Sequence, residues 1–252
     1  MANKIALITG GSRGLGKDMA LRLAQHGHNI VITFVSQKQG AEDVVKEIEA
    51  TGRQAMSLHL DTNNIASLTD FINEFRETLQ AKWNESSFDF LINNAGIGAT
   101  IPFAQVTEAD FDKFMNIHFK SVYFLTQRLL PLINDNGRVI NISTGTTRFC
   151  VPGYSIYASM KGAIEVFTRY LAKEVGARGI TANVVAPGPV ETDFNSGGNR
   201  DIPERNKFLA SLTALGRVGL AKDIGGVIAF LCSEDGSWIN GQRIEVSGGI
   251  NL

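Results

Sequence analysis

The chain has 252 residues and a formal net charge of −1, with 44% hydrophobic and 19% charged residues. This length accommodates one large α/β domain or two small ones, and the hydrophobic content supports a sizeable core, which excludes a disordered chain. Lysine and arginine form no long runs, so the composition argues against a surface that binds nucleic acid or an anionic membrane.

The first apolar stretch, residues 5–8, is too short for a signal peptide, and no later stretch approaches the length of a membrane span. The two cysteines, Cys150 and Cys232, lack the spacing of a metal or redox motif. So few cysteines suit a reducing compartment. We therefore expect a cytoplasmic protein that acts on a small molecule, without nucleic-acid or membrane partners.

Short apolar runs alternate with segments of helical periodicity along the chain. Several runs are apolar at consecutive positions, as in strands buried on both faces of a parallel sheet. The predicted strands are 5–9, 30–34, 55–59, 88–92, 138–142, 181–185 and 242–246. The predicted helices are 16–26, 41–50, 65–81, 108–132, 157–177 and 222–232. This alternation predicts an α/β fold, a three-layer doubly wound parallel sheet of the Rossmann type with about seven strands.

The alternation continues to the last residues, which favours a single domain over residues 1–252. One segment, 191–203, is irregular and combines two adjacent glycines with several polar residues. Long irregular segments inside a compact domain often carry function. Together with the residues that follow, this segment predicts a substrate lid over 191–211.

A glycine-rich turn, T-G-G-S-R-G-L-G at 9–16, joins the first predicted strand to the first helix. Glycine lets the backbone approach a pyrophosphate closely, and a helix N-terminus offers free N–H groups. The spacing is G-x-x-x-G-x-G rather than the G-x-G-x-x-G fingerprint, so a purely structural turn is an alternative. Its place at the first β–α junction favours a dinucleotide phosphate site.

The end of the second predicted strand bears on the choice of cofactor. A carboxylate there would bind the ribose 2′-hydroxyl of NAD, but the segment T-F-V-S-Q-K at 33–38 has none before Glu42. Ser36 supplies a hydroxyl and Arg13 a cation, which favours NADP(H) over NAD(H). The alternative is that Arg13 and Lys38 are solvated surface charges.

Tyr157 and Lys161 stand four positions apart in a predicted helix and therefore share one face. A unit positive charge at about 4 Å is worth roughly 4 kcal/mol at an effective dielectric of about 20. That energy is enough to move the pKa of a phenol from about 10 toward neutrality. Tyr157 would then act as a general acid or base. Taken alone, however, the pair is typical of ordinary helix packing.

Five features follow one another in order: the glycine turn, N-N-A-G at 93–96, Asn116, Tyr157 with Lys161, and P-G-P-V-E-T at 187–192. This ordered set resembles the short-chain dehydrogenase/reductase family, in its compact single-domain branch, over nearly the whole chain. The overall likeness is greatest to 3-oxoacyl-carrier-protein reductases and related ketoreductases.

The resemblance implies a role for each motif residue. Tyr157 would give a proton to the carbonyl oxygen while hydride arrives from the nicotinamide. Lys161 would hold the ribose and lower the pKa of Tyr157, and Asn116 would anchor a water that links Lys161 to solvent. The cofactor would be bound by Gly10, Ser12, Arg13, Gly14, Leu15, Gly16, Ser36, Asp61, Asn93, Ala95, Gly96, Tyr157, Lys161, Pro187, Gly188, Val190 and Thr192.

The family also uses a serine thirteen positions before its tyrosine, and this position holds Thr144, in the hydroxyl-rich stretch N-I-S-T-G-T-T. The neighbouring Ser143 should face the opposite way if the stretch is extended, because consecutive side chains alternate. Threonine keeps the hydroxyl donor. We therefore predict that Thr144, rather than Ser143, polarises the substrate carbonyl.

No histidine is predicted to join this set. His118 lies two positions after Asn116, and residues two apart point to different faces of a regular helix, so a structural or surface role is expected. The remaining histidines, His26, His28 and His59, do not form a ligand pattern, and no metal site is predicted.

Residues that follow predicted strand ends should face the substrate, and several of them are apolar or aromatic. They suit an apolar or aromatic ketone, or the acyl part of a thioester, although packing explains them equally well. The residues are Ile97, Phe149, Val151, Tyr154 and Phe194, and Cys150 lies among them. The family resemblance further implies a homotetramer, a dimer of dimers, with helices 108–132 and 157–177 in one interface and the C-terminal strand in the other.

The main prediction is an NADPH-dependent carbonyl reductase that acts on a ketone or a 3-oxoacyl substrate. An NAD(P)-dependent alcohol or sugar dehydrogenase would use the same residues, and a catalytically silent cofactor-binding regulator is the third alternative. The presence of Tyr157, Lys161 and Asn116 weighs against the regulator.

Overall fold

The computed structural model describes residues 4–252. Seven parallel strands form one sheet in the order β3-β2-β1-β4-β5-β6-β9, which confirms the predicted doubly wound α/β fold. The strands are β1 (Ile5–Ile8), β2 (Asn29–Phe34), β3 (Ala55–His59), β4 (Phe88–Asn93), β5 (Ile133–Ile142), β6 (Thr181–Pro187) and β9 (Arg243–Val246).

Helices cover both faces of the sheet and complete three layers. One face carries α1 (Gly14–Gln25), α2 (Lys38–Glu49) and α9 (Ala221–Cys232), and the other carries α3 (Leu68–Trp83), α5 (Ser121–Leu129) and α6 (Ser155–Val175), with α4 (Glu108–Met115) against α6. Strand β1 shows why its sequence is continuously apolar: Ala6 and Ile8 face one layer, and Ile5 and Leu7 face the other.

The predicted helix 108–132 is interrupted. Helix α4 passes into a π turn at Asn116–Lys120, where the Ser121 N–H bonds to the Asn116 carbonyl oxygen, before α5 begins. A 3₁₀ turn at Leu130–Leu132, which contains Pro131, then ends the helical segment. A π turn inserts one extra residue into a helix, so it changes which side chains share a face.

The irregular stretch after β6 contains short elements of secondary structure. A short strand β7 (Val190–Glu191) pairs in parallel with β8 (Gly219–Leu220), and between them lie the short helices α7 (Gly198–Asp201) and α8 (Pro203–Ser211). Within residues 4–252, no helix has the length and apolar character needed to cross a membrane.

The order of the strands determines where a site can form. The chain runs outward from β1 through β2 to β3 and then returns to place β4 on the other side of β1. Loops after β1 and β4 therefore diverge at the carboxyl edge of the sheet, the switch point at which doubly wound folds bind their ligands.

Candidate active site

A cleft of about 910 Å³ opens at this carboxyl edge. It is bordered by the residues predicted to bind the cofactor, except Asn93, and by Thr144, Tyr157 and Lys161 of the predicted catalytic set. Asn116 is partly buried at the start of the π turn and is not among the bordering residues. Residues as far apart in sequence as Gly10 and Ile250 thus meet at one surface.

The glycine turn at 9–16 is shaped by backbone conformation. Gly10 and Gly14 have φ of +68° and +55°, which side chains rarely adopt. A Cβ atom on Gly16 would stand 2.2 Å from the Gly10 carbonyl oxygen, so the turn can close onto α1 only with glycine there. Helix α1 begins without a side-chain cap and without an acidic residue in its first turn. Its N–H groups and dipole therefore suit a phosphate anion.

Asn93 was predicted to line the cleft, and the structure corrects this assignment. Its amide donates to Thr126 Oγ1 at 3.0 Å and to Asn141 Oδ1 at 2.8 Å, within the buried interior. The next residue, Asn94, borders the cleft instead and donates to the carbonyl oxygens of Thr9 and Gly10. Side chains alternate at the end of β4, so the two asparagines point to opposite sides.

The end of the cleft beside β2 carries the residues that were predicted to select the cofactor. Arg13 is exposed at the cleft wall, and Ser36 and Asp61 border the same space. Lys38 does not border it, and its amine lies 3.9 Å from Glu42. The sequence alternative of a solvated charge therefore applies to Lys38, whereas Arg13 stands where a phosphate can reach it.

Tyr157 and Lys161 lie on the same face of α6, as predicted. The Lys161 ammonium is buried, lies 5.9 Å from the centroid of the Tyr157 ring and donates to the Ile142 carbonyl oxygen at 2.7 Å. Burial lowers the pKa of Lys161 to about 8. The ammonium is thus bound to the backbone of β5, beside the phenol ring.

The predicted lowering of the Tyr157 pKa is wrong for this structure. Part of the ring faces the cleft, but the surrounding protein desolvates the phenol and raises its pKa well above the ordinary value, against the smaller opposite effect of the Thr144 hydroxyl nearby. Tyr157 is therefore protonated at neutral pH.

Thr144 and Ser143 face opposite ways, as their alternation predicts. The Thr144 side chain lies at the cleft close to the Tyr157 phenol, and its oxygen accepts from the Thr146 N–H at 3.3 Å. The buried Ser143 hydroxyl donates instead to Glu165 Oε1 at 2.7 Å. Of the two hydroxyls, Thr144 is the one beside the phenol.

Sequence reasoning missed the group that holds this stretch in place. Glu165, one turn beyond Lys161 on α6, accepts from the hydroxyls of Ser143 and Thr147 and from Arg243 Nε of β9. Arg243 also donates to the Thr144 carbonyl oxygen at 3.2 Å. No local signal predicts this network, because its members come from three distant segments.

His118 has the structural role that the sequence left open beside a surface role, although it lies at the cleft. The π turn brings it to the cleft, fully buried, with its ring 5.1 Å from that of Tyr157 and edge-on to it. Its Nε2 accepts from the Ile97 N–H at 3.3 Å. Burial and the nearby Lys161 charge keep its pKa well below the ordinary value. His118 is thus a neutral residue that packs against Tyr157, not a surface histidine.

The five residues predicted to face the substrate all border the cleft: Ile97, Phe149, Val151, Tyr154 and Phe194. Cys150 is exposed and is not among the bordering residues.

The segment predicted to act as a lid, residues 191–211, contacts this part of the cleft. Its Phe194 ring lies 6.2 Å from the Tyr157 ring, and Asn195 donates to the Tyr154 hydroxyl at 3.1 Å. Asn195 and Ser196 have left-handed φ values of +54° and +57°, a strained backbone for residues other than glycine.

Comparisons with known proteins agree with this geometry. Residues 10–251 match the family model described as enoyl-(acyl carrier protein) reductase, which belongs to the short-chain dehydrogenase/reductase family. The hydroxynaphthalene reductase-like protein Arp2 of Metarhizium brunneum is 35% identical, with 99% of this chain and 95% of that protein covered.

Solved structures are similar over the same length. The promiscuous reductase LugOII, which catalyses keto-reduction at C1 in lugdunomycin biosynthesis, superposes with a TM-score of 0.94 at 35% identity, covering 99% of this chain and 98% of that one. The angucycline C-6 ketoreductase LanV, solved with NADP, gives 0.94 at 34% identity, with 99% and 96% covered. A blue fluorescent protein from a metagenomic library, solved with NADPH, gives 0.89 at 36% identity, with 99% and 98% covered.

The family resemblance predicted from the order of the motifs is thereby confirmed, and with it the prediction of an NAD(P)-dependent oxidoreductase. The match extends from the glycine turn to the residues after β9, so it includes the whole cleft. This chain belongs to the short-chain dehydrogenase/reductase family.

Proposed function

We propose that this protein is an NADPH-dependent keto reductase in which Tyr157 donates the proton to the substrate carbonyl. The observation that carries the proposal is that the Tyr157 phenol and the Thr144 hydroxyl lie close together at the cleft wall. A carbonyl oxygen between them would receive two hydrogen bonds, and donors aimed at developing negative charge lower a reaction barrier.

The cleft residues fit a dinucleotide, which would supply the hydride when bound: an uncapped helix N-terminus, glycines that admit close approach, and a buried amine. Tyr157 keeps its proton at neutral pH because burial raises its pKa, so it serves as an acid rather than a base. Thr144 would orient the carbonyl. Lys161 would place positive charge beside the phenolate that forms, and Asn116 would anchor a water near Lys161.

The cofactor is NADP(H). LanV and the blue fluorescent protein are solved with NADP and NADPH, and here Arg13 and Ser36 stand at the adenosine end without a carboxylate at the end of β2. Steady-state kinetics with both cofactors test this preference. We expect kcat/KM to be higher with NADPH, and Arg13→Ala to remove most of the difference; equal or better kinetics with NADH contradict it.

The substrate is an aromatic or polyketide-type ketone. The substrate half of the cleft is walled by Ile97, Phe149, Val151 and Phe194, and apolar walls favour flat hydrophobic ligands. LanV is also solved with rabelomycin, and Arp2 is named for hydroxynaphthalene reduction. A 3-oxoacyl thioester is the second candidate, since the same apolar wall accommodates an acyl chain.

Residues 191–211 act as the lid of this site, within one domain of 252 residues. The lid lies over Tyr154 and Tyr157 through Phe194 and Asn195, so its position controls access to the proton donor. Hydrogen exchange measures this role. We expect slower exchange in 191–211 after NADPH is added, and unchanged exchange there argues against a lid.

The protein assembles as a homotetramer in the cytoplasm. Apolar side chains on α6, Val166 at 46% and Tyr170 at 67% exposure, are open to solvent in the single chain, and Trp238 near the C-terminal strand is 97% exposed. Exposed surface of this kind marks interfaces, and the low cysteine count suits a reducing compartment. Light scattering that shows a monomer at micromolar concentration contradicts the assembly.

One substrate panel separates the candidate functions. NADPH oxidation is followed with bicyclic aryl ketones, β-keto esters, 3-oxoacyl thioesters, an enoyl thioester and sugars, in both reaction directions. The proposal requires that an aryl ketone has the highest kcat/KM. Preference for alcohol or sugar oxidation supports a dehydrogenase, and cofactor binding with no turnover supports a regulator.

A further inference from the structure

Polar groups converge at one point in the apolar substrate half of the cleft. The Tyr154 hydroxyl oxygen accepts from Asn195 Nδ2 at 3.1 Å and lies 3.5 Å from Arg205 Nη2. A phenol oxygen has two lone pairs and one proton to donate. With donors directed at the oxygen, the Tyr154 O–H proton points elsewhere, and within residues 4–252 it has no acceptor. A ligand oxygen would complete this arrangement.

Arg205 brings an uncompensated charge to the same point. It borders both the main cleft and an adjoining cavity of about 510 Å³, and its guanidinium lies against Gly198. Across the described chain, no carboxylate lies within ion-pair distance of Arg205. Asp193 borders the same cavity, but Arg200 holds its carboxylate at 2.7 Å. Asp193 and Asp201 thus neutralise the charge of Arg200, whereas the Arg205 guanidinium remains available to bind an anion.

The polar point lies close to the proton donor. The Tyr154 ring is 6.2 Å from the Tyr157 ring and nearly perpendicular to it. Both rings border the cleft, so one rigid aromatic molecule can meet Tyr157 with one oxygen and Tyr154 with another. Besides Arg205, the cations along the cleft are Arg13, Lys113 and Lys161. Lys161 is already bound to the Ile142 carbonyl oxygen.

We infer that Arg205 and the Tyr154 hydroxyl form an anchoring site for a second, negatively charged oxygen of the substrate, a carboxylate or an ionised phenol on the aromatic ketone. This inference rests on the proposed keto-reductase function and specifies its substrate class. Guanidinium is suited to such oxygens because its N–H groups form charge-assisted hydrogen bonds in a fixed plane. The anchor would also fix which carbonyl faces Tyr157.

Binding tests the anchor independently of turnover. In the presence of saturating NADP⁺, the Kd of 2-naphthoate and of its uncharged counterpart 2-naphthamide is measured by calorimetry. We expect wild type to prefer the carboxylate, and Arg205→Met to weaken naphthoate about ten- to hundredfold, the worth of a hydrogen bond to a charged group, with little effect on naphthamide. Tyr154→Phe should weaken naphthoate by a smaller factor.

Matched variants distinguish the loss of the Arg205 charge from a loss of folding. Lys207→Met removes an exposed cation from the same helix outside the cleft and should leave both Kd values unchanged. Arg205→Lys keeps the charge without the planar donors and should give an intermediate Kd. Thermal unfolding of each variant shows whether the lid helix is intact.

Steady-state kinetics test whether the anchoring site binds the substrate or the cofactor. With tetralone carboxylic acids and their methyl esters, Arg205→Met should raise KM for the acids and leave kcat and the KM for NADPH nearly unchanged. Equal binding of naphthoate and naphthamide by wild type, or a raised KM for NADPH in Arg205→Met, overturns the anchor. Failure of wild type to reduce any aryl ketone overturns the proposed function, while the calorimetry still decides whether Arg205 binds an anion.

Discussion

At the cofactor end of the cleft, the surface is built mainly from backbone: the turn around Gly10 and Gly14, the open N-terminus of α1, and the Asn94 side chain bound to that turn. At the substrate end, it is built from side chains on different elements, with Tyr154 just before α6 and Phe194 in the segment 191–211. A dinucleotide presents the same phosphates to every family member, and backbone groups recognise phosphates without variable side chains. The substrate end instead holds the side chains that choose a ketone.

The two ends also differ in strain. Left-handed residues in the glycine turn are glycines, which adopt this conformation at little cost, whereas in the segment 191–211 Asn195 and Ser196 adopt it. Strain of this kind is held by surrounding contacts, here the Asn195–Tyr154 hydrogen bond and the Arg200–Asp193 ion pair. We therefore expect mutations at the cofactor end to change folding and affinity together, and mutations at the substrate end to change catalysis.

The largest effect is expected at the proton donor. Tyr157→Phe removes the acidic proton and keeps the ring packed against His118. We expect kcat/KM for ketone reduction to fall about 10²- to 10⁴-fold, the usual contribution of a positioned general acid. The Kd for NADPH, measured by fluorescence, should change little. A kcat/KM within severalfold of wild type contradicts the assignment.

The neighbouring hydroxyls offer a matched pair. Thr144→Ala should lower kcat/KM about hundredfold, as the loss of an oxyanion-type donor does, and Thr144→Ser should retain activity. Ser143→Ala removes a bond to Glu165 and should cost about 1 kcal/mol of stability with a small effect on kcat/KM. Normal kinetics in a folded Thr144→Ala protein would shift the assignment to Ser143.

A glycine substitution tests whether backbone geometry defines the cofactor end. Gly16→Ala brings a Cβ atom to 2.2 Å from the Gly10 carbonyl oxygen, so we expect a loss of about 1–3 kcal/mol in the free energy of unfolding and weaker NADPH binding. Gly226→Ala is the control, since a Cβ on this exposed residue of α9 meets nothing within 4 Å. It should stabilise α9 by about 0.5–1 kcal/mol. Equal effects of the two substitutions contradict the close-approach explanation.

The smallest effect concerns pH. Burial lowers the pKa of Lys161 to about 8 from its ordinary 10.5. The affinity for NADPH should therefore fall severalfold as the pH rises through 8 and Lys161 loses its charge. This pH dependence should persist in Tyr157→Phe and disappear in Lys161→Met. The same lowered pKa has the opposite effect on folding stability, which increases with pH where the affinity for NADPH decreases. Between pH 8 and 10.5 the folded state binds fewer protons, so the free energy of unfolding rises with pH relative to Lys161→Met.

The fold was predictable because its signals are local. Buried parallel strands are apolar at consecutive positions, and helices show their own period, so the alternation along the chain predicts a doubly wound sheet. The sequence also predicts the glycine turn, the Tyr157–Lys161 pair and the position of Thr144 from local signals. Each is a short motif whose spacing matters within one or two elements.

Other features of the site depend on contacts between distant segments. Local spacing does not predict three of these features: the inward side chain of Asn93, the π turn that buries His118, and the Glu165–Arg243 network. The pKa of Tyr157 likewise depends on desolvation by residues from several loops, which outweighed the charge four residues away.

The sequence by itself determined the family, the sheet and the order of the catalytic motifs, because these follow from periodicity and short spacing. Only the tertiary structure decided which asparagine faces the cleft, that Glu165 holds Ser143, and that Arg205 stands beside Tyr154. These outcomes depend on burial and on side chains brought together from segments up to about a hundred residues apart, where hydrogen-bond partners and desolvation are settled by packing.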